Sequence, residues 1–263
     1  MQLWQHFYMK KDLWKTGFGS KYVELITQHT VKINKKQLSF IFKTLKLKKG
    51  SQLLDLGCGD GRYSVVLVKN GINVTGVDYS SELLNRANKY AKNEEVSVKF
   101  LKKDMRRIAF AKKFDAALSM YSFGFFNNTE DNKMVIKKLA QSLKKGGRLL
   151  LATNNGLHTL KGVFKNARVS KKTGNLISKN KILNNKVLSI NELDPKSMFW
   201  WVTQKWKVKG KIVINKVSMH LYVPDQVVGL LEDSGFVVEG LYGNVQGSQF
   251  NAYSGLVIIA KKI

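Results

Sequence analysis

Apolar residues recur at intervals of three and four along residues 21–45, with Val23, Ile26, Leu38, Ile41, Phe42 and Leu45 on one side, which predicts helical pieces. After the polar stretch "KLKKGS", the short apolar run "QLLDLG" reads as a strand. The pattern then alternates. "RYSVVLVKNG" is a helix closed by Gly71, and "INVTGVD" is a second strand. "SSELLNRANKYAKN" opens with a serine cap and a first-turn glutamate, as helices do. "VSVKFLKKD" and "FDAALSM" read as the third and fourth strands, "NKMVIKKLAQSLKKGG" as a helix ended by its glycines, and "RLLLATN" as the fifth strand. Strands alternating with helices imply a mostly parallel sheet covered on both faces.

The alternation stops at about residue 155, and residues 156–222 read as strands and turns without helical periodicity. "WWVTQKWKVKGKIVINKVSMHLYV" suggests a hairpin turning at Lys209-Gly210. Alternation resumes with a helix in "PDQVVGLLEDSGF", followed by "VVEGLYG" and a closing strand "SGLVIIAKK". The chain is therefore read as one interrupted domain. Residues 1–50 form an N-terminal helical cap, 51–155 and 221–263 the core, and 156–220 a basic β-hairpin insertion over the acceptor site.

Charge changes this picture. Lysine and arginine number 45 against 18 acids, a net charge of +27. Residues 161–216 hold 14 of the basic residues and only two acids, Glu192 and Asp194. An AT-rich coding bias explains abundant lysine and asparagine, but not the shortage of acids. Such a field attracts polyanions: RNA, DNA or an acidic membrane surface. No apolar run approaches the roughly 20 residues that a membrane span requires. The first 20 residues mix aromatics with charges and lack an apolar signal core, so a cytoplasmic protein is expected. The single cysteine, Cys58, excludes an intrachain disulfide and a cysteine-based zinc cluster, and no metal site is expected.

Candidate chemistry centres on "LLDLGCGDGR", residues 53–62. Its spacing is G-x-G-x-G (Gly57, Gly59, Gly61), unlike the dinucleotide or P-loop patterns. Glycines there let a ligand approach the backbone closely. Asp78 ends the second strand 23 residues after Asp55, where a carboxylate can accept from both ribose hydroxyls. Asp104 ends the third strand, placed for an adenine edge; singly, each of these acids also reads as an ordinary turn residue. Asp55 and Asp60 would repel a pyrophosphate and favour a cation. S-adenosyl-L-methionine has an adenosine, a sulfonium and an amino group, and no phosphate.

At these residues the sequence resembles the class I S-adenosylmethionine-dependent methyltransferases. "LLDLGCGDGR", "GVDYSSELL", "FLKKDM" and "FDAALSMYSFGFF" are similar to that family's first four motifs, in order. "LKKGGRLLLATNN" and "LLEDSGFVVEGLYGNVQGS…YSGLVIIAKK" resemble its later helices and strands. The likeness covers about 20–155 and 221–263, and is nearest to small methyltransferases with a hairpin insertion after the fifth strand. It implies a Rossmann-like, doubly wound α/β fold. The sheet would have seven strands, mostly parallel with one antiparallel strand, and a β-rich insertion. It also implies roles. Asp55, Gly57, Cys58 and Gly59, closed by Gly61, would hold the methionine part of the cofactor, and Asp78 the ribose. Tyr79 would stack beside the adenosine, Asp104 would accept from the adenine amino group, and the Met105 amide would lie nearby. Met120 and Tyr121 would line the methyl-bearing end.

Methyl transfer is an in-line displacement, so holding the acceptor aligned can carry much of the rate. A base helps only where the acceptor must lose a proton. None of His6, His29, His158 or His220 sits in a motif; His220, where the insertion rejoins the sheet, and Tyr121, which can orient an acceptor, are the catalytic candidates. Trp200, Trp201 and Trp206 either pack on the sheet or stack nucleic-acid bases among the lysines. Trp4, Phe7, Tyr8, Trp14 and Phe18 either cap the cofactor or staple the first helix. The fourth motif has neither the cysteine of cytosine-C5 methylation nor the [DN]-P-P-[YF] of exocyclic-amine methylation. A small-molecule acceptor is the leading expectation. An RNA acceptor, by cap-like N7 or ribose methylation, is the alternative, and a non-catalytic binding protein on the same fold the third reading. The sequence leaves the oligomeric state open.

Overall fold

A computed structural model of the chain describes residues 13–27, 32–126, 128–184, 186–208 and 210–263. Trp4, His6, Phe7, Tyr8, His29 and Lys209, each singled out above, lie outside the described residues.

The sequence folds around strands buried on both faces. In β1 (Gln52–Leu56), Leu53 joins one apolar cluster while Leu54 and Leu56 join the other. The same alternation divides Leu149 and Leu151 from Leu150 and Ala152 in β5 (Leu143–Thr153). One cluster is closed by α3 (Lys35–Leu45) and α4 (Arg62–Lys69), through Ile41, Leu45 and Leu67. The other is closed by α6 (Thr129–Ser142) and α8 (Pro224–Glu232), through Val135, Ile136, Leu139, Val227 and Leu231. Polar caps fix where helices begin. Asn34 and Gln37 form a reciprocal capping box at α3, and the Ser80 hydroxyl accepts from the Leu83 amide at α5 (Ser81–Asn93).

The remaining core strands are β2 (Asn73–Asp78), β3 (Lys99–Lys102), β4 (Phe114–Met120), β11 (Phe236–Tyr242) and β12 (Leu256–Lys262). They give one seven-stranded sheet in the order β11-β12-β5-β4-β1-β2-β3, with β12 antiparallel to both neighbours and the other pairings parallel. The chain winds outward in opposite directions from β1 and β4. Doubly wound sheets bind ligands at the carboxyl ends of the strands flanking such a reversal.

Between β5 and α8 the structure departs from a single hairpin. A helix, α7 (Gly156–Val163), stands where strands and turns were expected. Asn155 caps it, accepting from the Leu157 amide at 3.0 Å, and Leu157, Leu160 and Val163 supply apolar positions three apart. A five-stranded antiparallel sheet follows: β6 (Arg168–Val169), β7 (Leu176–Ile182), β8 (Val187–Asp194), β9 (Phe199–Val208) and β10 (Lys211–His220). The β9–β10 pairing is the expected hairpin, but it belongs to this larger sheet. The expected helix "NKMVIKKLAQSLKKGG" also ends early, at Ser142, and "LKKGG" opens β5 instead. No helix among the described residues is long and apolar enough to cross a membrane.

Two short helices, α1 (Leu13–Gly17) and α2 (Ser20–Thr27), lie between the two sheets. A Cβ on Gly17 would lie 2.6 Å from Val217 Cγ1 and 2.7 Å from the Lys216 carbonyl, so α1 meets β10 at a distance only glycine allows. Phe18 packs against both the core and the second sheet.

Candidate active site

The carboxyl ends of β1, β2 and β4 open into a cavity of about 370 Å³, roofed by Trp14, Phe18 and Tyr22. Its floor is the glycine turn. The Gly57 and Cys58 amides donate to the Val77 carbonyl at 2.7 and 3.0 Å, pinning the turn to β2. The Ser122 hydroxyl donates to the Leu56 carbonyl at 2.9 Å, pinning the end of β4 to the same turn.

The three glycines do different work, although all have positive φ. A Cβ on Gly57 would strike Ser122 at 2.3 Å, and one on Gly61 would lie 2.8 Å from both Ala87 and Phe100. Gly59 has nothing within 4 Å and faces open space. Gly61 thus packs α4 on α5 and does not line the cavity. Gly61→Ala is therefore expected to destabilise the fold by about 2–3 kcal/mol, through overpacking and positive-φ strain. Gly59→Ala should cost only about 1 kcal/mol of stability yet weaken ligand binding more than tenfold, by filling the space the ligand needs. Thermal melts and titration calorimetry on the two variants separate these effects; equal losses of stability would contradict the assignment.

Asp55 is buried, and its carboxylate accepts from the Ser64 hydroxyl at 2.6 Å. Burial pushes its pKa up to about 7, opposed by the Ser64 bond and assisted by Asp78 and Asp60. Asp78 accepts from the Gly59 and Ser80 amides, both at 2.9 Å. Burial also raises its pKa, against those backbone bonds. The Cys58 thiol is pushed up by burial and the neighbouring acids, which suits a small buried filler and not a nucleophile.

Asp60 departs from the sequence reading. Arg62 grips its carboxylate at both oxygens, each at 2.9 Å, and the Arg86 guanidinium lies 3.8 Å away. Its charge is neutralised within the protein, so the acid left to meet a cation is Asp55. Asp104 departs further. Its carboxylate accepts from the Arg106 amide and side chain, with bonds of 2.5–3.1 Å, and it does not line the cavity. A guanidinium two residues away on a short 3₁₀ turn, Met105–Arg107, engages both carboxylate oxygens. The guanidinium also reaches Asp131 at 2.7 Å and covers the Trp14 and Phe126 rings.

Cys58, Tyr79, Met105, Met120 and Tyr121 line the cavity with Asp55, Gly57, Gly59 and Asp78. Tyr79 meets Trp14 edge-on at 4.7 Å. Tyr121 adopts φ +54°, a conformation unusual for a bulky residue, and is held by its amide donating to the Ala152 carbonyl at 2.7 Å. Desolvation raises its phenol and pushes that of Tyr63 up to about 12, so both are neutral hydrogen-bonding groups at ordinary pH. His220 is not brought to the cavity. Its ring lies 4.2 Å from that of Tyr222, its amide donates to the Gly124 carbonyl, and burial lowers its pKa. His158 is exposed on α7, against the Tyr253 carbonyl. Sequence reasoning missed Tyr22, Ile33, Gln37, Tyr63, Ser122, Phe125 and Phe126 as lining residues. The "YSFGFF" stretch after β4 was the available signal for the last three.

A doubly wound sheet with an acid-bearing glycine turn, a second acid ending β2 and no lysine in the turn defines a protein that binds a cationic nucleoside. Residues 53–147 match the family model described as "Methyltransferase domain". Over that segment, and in the order of its motifs, the chain is similar to the class I S-adenosylmethionine-dependent methyltransferases. It is 33% identical over 148 residues to a ubiquinone biosynthesis O-methyltransferase of Coxiella burnetii, covering 56% of this chain and 58% of that protein. It is 30% identical over 142 residues to a glycine/sarcosine N-methyltransferase of Aphanothece halophytica, covering 53% of each. The chain thus matches little over half the length of these curated relatives. Among solved structures, the CcbJ methyltransferase from Streptomyces caelestis superposes with a TM-score of 0.76 at 15% identity, over 94% of this chain and 98% of that one. A methyltransferase from Clostridium acetobutylicum superposes with a TM-score of 0.70 at 18% identity, over 92% and 96%. These structural likenesses are of fold.

The residues present fit the family's cofactor, S-adenosyl-L-methionine. Among the described residues no cation pairs with the buried acid Asp55, Asp78 ends β2 beside the turn, and Gly59 leaves the turn open to a ligand.

Proposed function

We propose that the protein transfers a methyl group from S-adenosyl-L-methionine to a small-molecule acceptor. The observation that carries this reading is the roofed cavity. Trp14, Phe18 and Tyr22 line the cavity beside the glycine turn, and its about 370 Å³ lies in the range of small-molecule sites. The bound cofactor supplies an electrophilic methyl carbon on a sulfonium. Asp55 would hold the cationic methionine part and Asp78 the ribose hydroxyls, while Met120 and Tyr121 face the acceptor's side of the cavity. Tyr121 and Tyr63 would orient the acceptor through neutral hydroxyls. The acceptor's lone pair would take up that methyl carbon, with the electrons of the broken carbon–sulfur bond left on sulfur. Among the described residues, neither His158 nor His220 lines the cavity. Residues 156–220 would bound the acceptor side, where Phe125 joins the cavity lining to the second sheet. A cytoplasmic location accords with a single buried, unpaired cysteine.

The +27 charge favours a second reading, with RNA as the acceptor. Transfer of a labelled methyl group into cell extract, then separated into RNA, protein and small-molecule fractions, distinguishes the two. Label in the small-molecule fraction is expected. Label confined to RNA would overturn the proposal, and cofactor binding without any labelled product would favour a non-catalytic protein.

A further inference from the structure

The second sheet has two unlike faces. On the inner one, Trp206 is buried with Leu25 and Val187, and Trp200 packs edge-on against Phe164. The outer face follows from the register. One cross-strand row is Ile214, Lys205, Leu188 and Lys181; beside it run Ile212 with Lys207, and Thr203 with Ile190 and Lys179. Branched aliphatics and lysines therefore alternate over neighbouring positions. Ile212 is 66% exposed, Ile214 39% and Leu188 37%. Among the described residues, Lys179, Lys181, Lys205 and Lys207 form no ion pair with an acid. The two acids of this stretch stand on the same face toward the far end of β8, and both are engaged. Glu192 accepts from the Asn175 side chain at 2.8 Å, and Asp194 accepts from the Lys196 amide and the Ser197 hydroxyl.

We infer that this outer face docks on an anionic lipid bilayer. The charge is complementary, and the form of the surface selects lipid over nucleic acid. Single-stranded RNA needs aromatic or guanidinium planes for stacking, whereas Trp200 and Trp206 point inward and Trp201, on the outer face, is partly buried with its indole nitrogen covered and its ring against Phe199. Lysines reaching past exposed isoleucine and leucine are what an interfacial protein presents: stems and aliphatics enter the headgroup boundary while ammonium groups meet lipid phosphates. The inference is independent of the acceptor, and its failure leaves the methyltransferase reading standing.

The test is sedimentation of the full chain with vesicles of phosphatidylcholine, alone or mixed with about one-third phosphatidylglycerol. Binding to the mixed vesicles only is expected. K181E/K205E/K207E should lower it more than tenfold. I212S/I214S should lower it several-fold, since charge alone would leave the aliphatic contribution untouched. Both variants should keep S-adenosylmethionine affinity, which reports on folding. The control K89E/K137E/K138E removes equal charge from α5 and α6 and should keep at least half the binding. Equal losses in the control and sheet variants would assign the effect to net charge and overturn the inference. So would absence of vesicle binding, or preferential binding of a single-stranded RNA that the sheet variants abolish.

Discussion

Asp78→Asn is expected to weaken S-adenosylmethionine binding by about 100-fold with little change in the stability of the free protein. The wild-type carboxylate already serves the Gly59 and Ser80 amides, one through each oxygen, and each oxygen retains a lone pair for a ribose hydroxyl. An asparagine keeps one acceptor and turns the other into a donor, which faces an amide that also donates. At least one charge-assisted bond to ribose is then lost and the turn that carries Gly59 is loosened. Two such losses, at about 1.5 kcal/mol each, amount to about 100-fold. The stability terms oppose one another. The variant gives up a backbone bond, but it also removes a buried charge whose pKa burial had raised. Calorimetry should show the same loss for S-adenosylhomocysteine, because the ribose is common to both ligands. Unchanged affinity in a folded variant would remove Asp78 from the site.

How far the sequence foretold this site follows from the range of the interactions involved. The glycine turn and Asp78 were legible because a strand end, a turn and a helix start are local. The two-faced burial of β1 and β5 was legible because side chains alternate along a strand. The ion pairs of Asp60 and Asp104 went unread for a local reason: each has an arginine two residues on, Arg62 and Arg106, close enough to engage the carboxylate. A strand-end acid is a ligand group only while no nearer cation takes it. The β-rich character of the insertion was legible, but the extent of its sheet beyond the β9–β10 hairpin was hidden by its inner face. Asn180, Ser189, Gln204 and Asn215 form one cross-strand row there, so polar residues stand at inward positions where a strand pattern calls for apolar ones. Ser189 and Asn215 in this row are buried. The cavity roof was partly visible in Trp14 and Phe18. Their seating over the turn, however, depends on α1 lying against β10, a contact across some 200 residues that no local pattern records.

At pH 6, binding of S-adenosylmethionine is expected to release about one proton, and Asp55 is its source. In the free protein the Asp55 pKa stands at about 7, so at pH 6 the carboxyl is mostly protonated. A cation seated beside it favours the ionised form and drives the proton off. Affinity should therefore rise close to tenfold per pH unit below about 7 and level off above it. The free protein should show the opposite trend. The folded-state pKa lies above the ordinary value of 3.8, so the folded state holds a proton that the unfolded chain has lost. That stabilisation is complete below about pH 4 and disappears as pH rises through 7, a span of about 4 kcal/mol for a fully buried group. Asp55→Asn keeps an acceptor for the Ser64 hydroxyl but has no charge to form. It should abolish the proton release, flatten both pH profiles, raise the melting temperature of the free protein at pH 8 and weaken cofactor binding there. Calorimetry in buffers of different ionisation enthalpy counts the proton directly. Release that persists in the asparagine variant would place the titrating group elsewhere, and no release in the wild type would mean that Asp55 does not meet the cation.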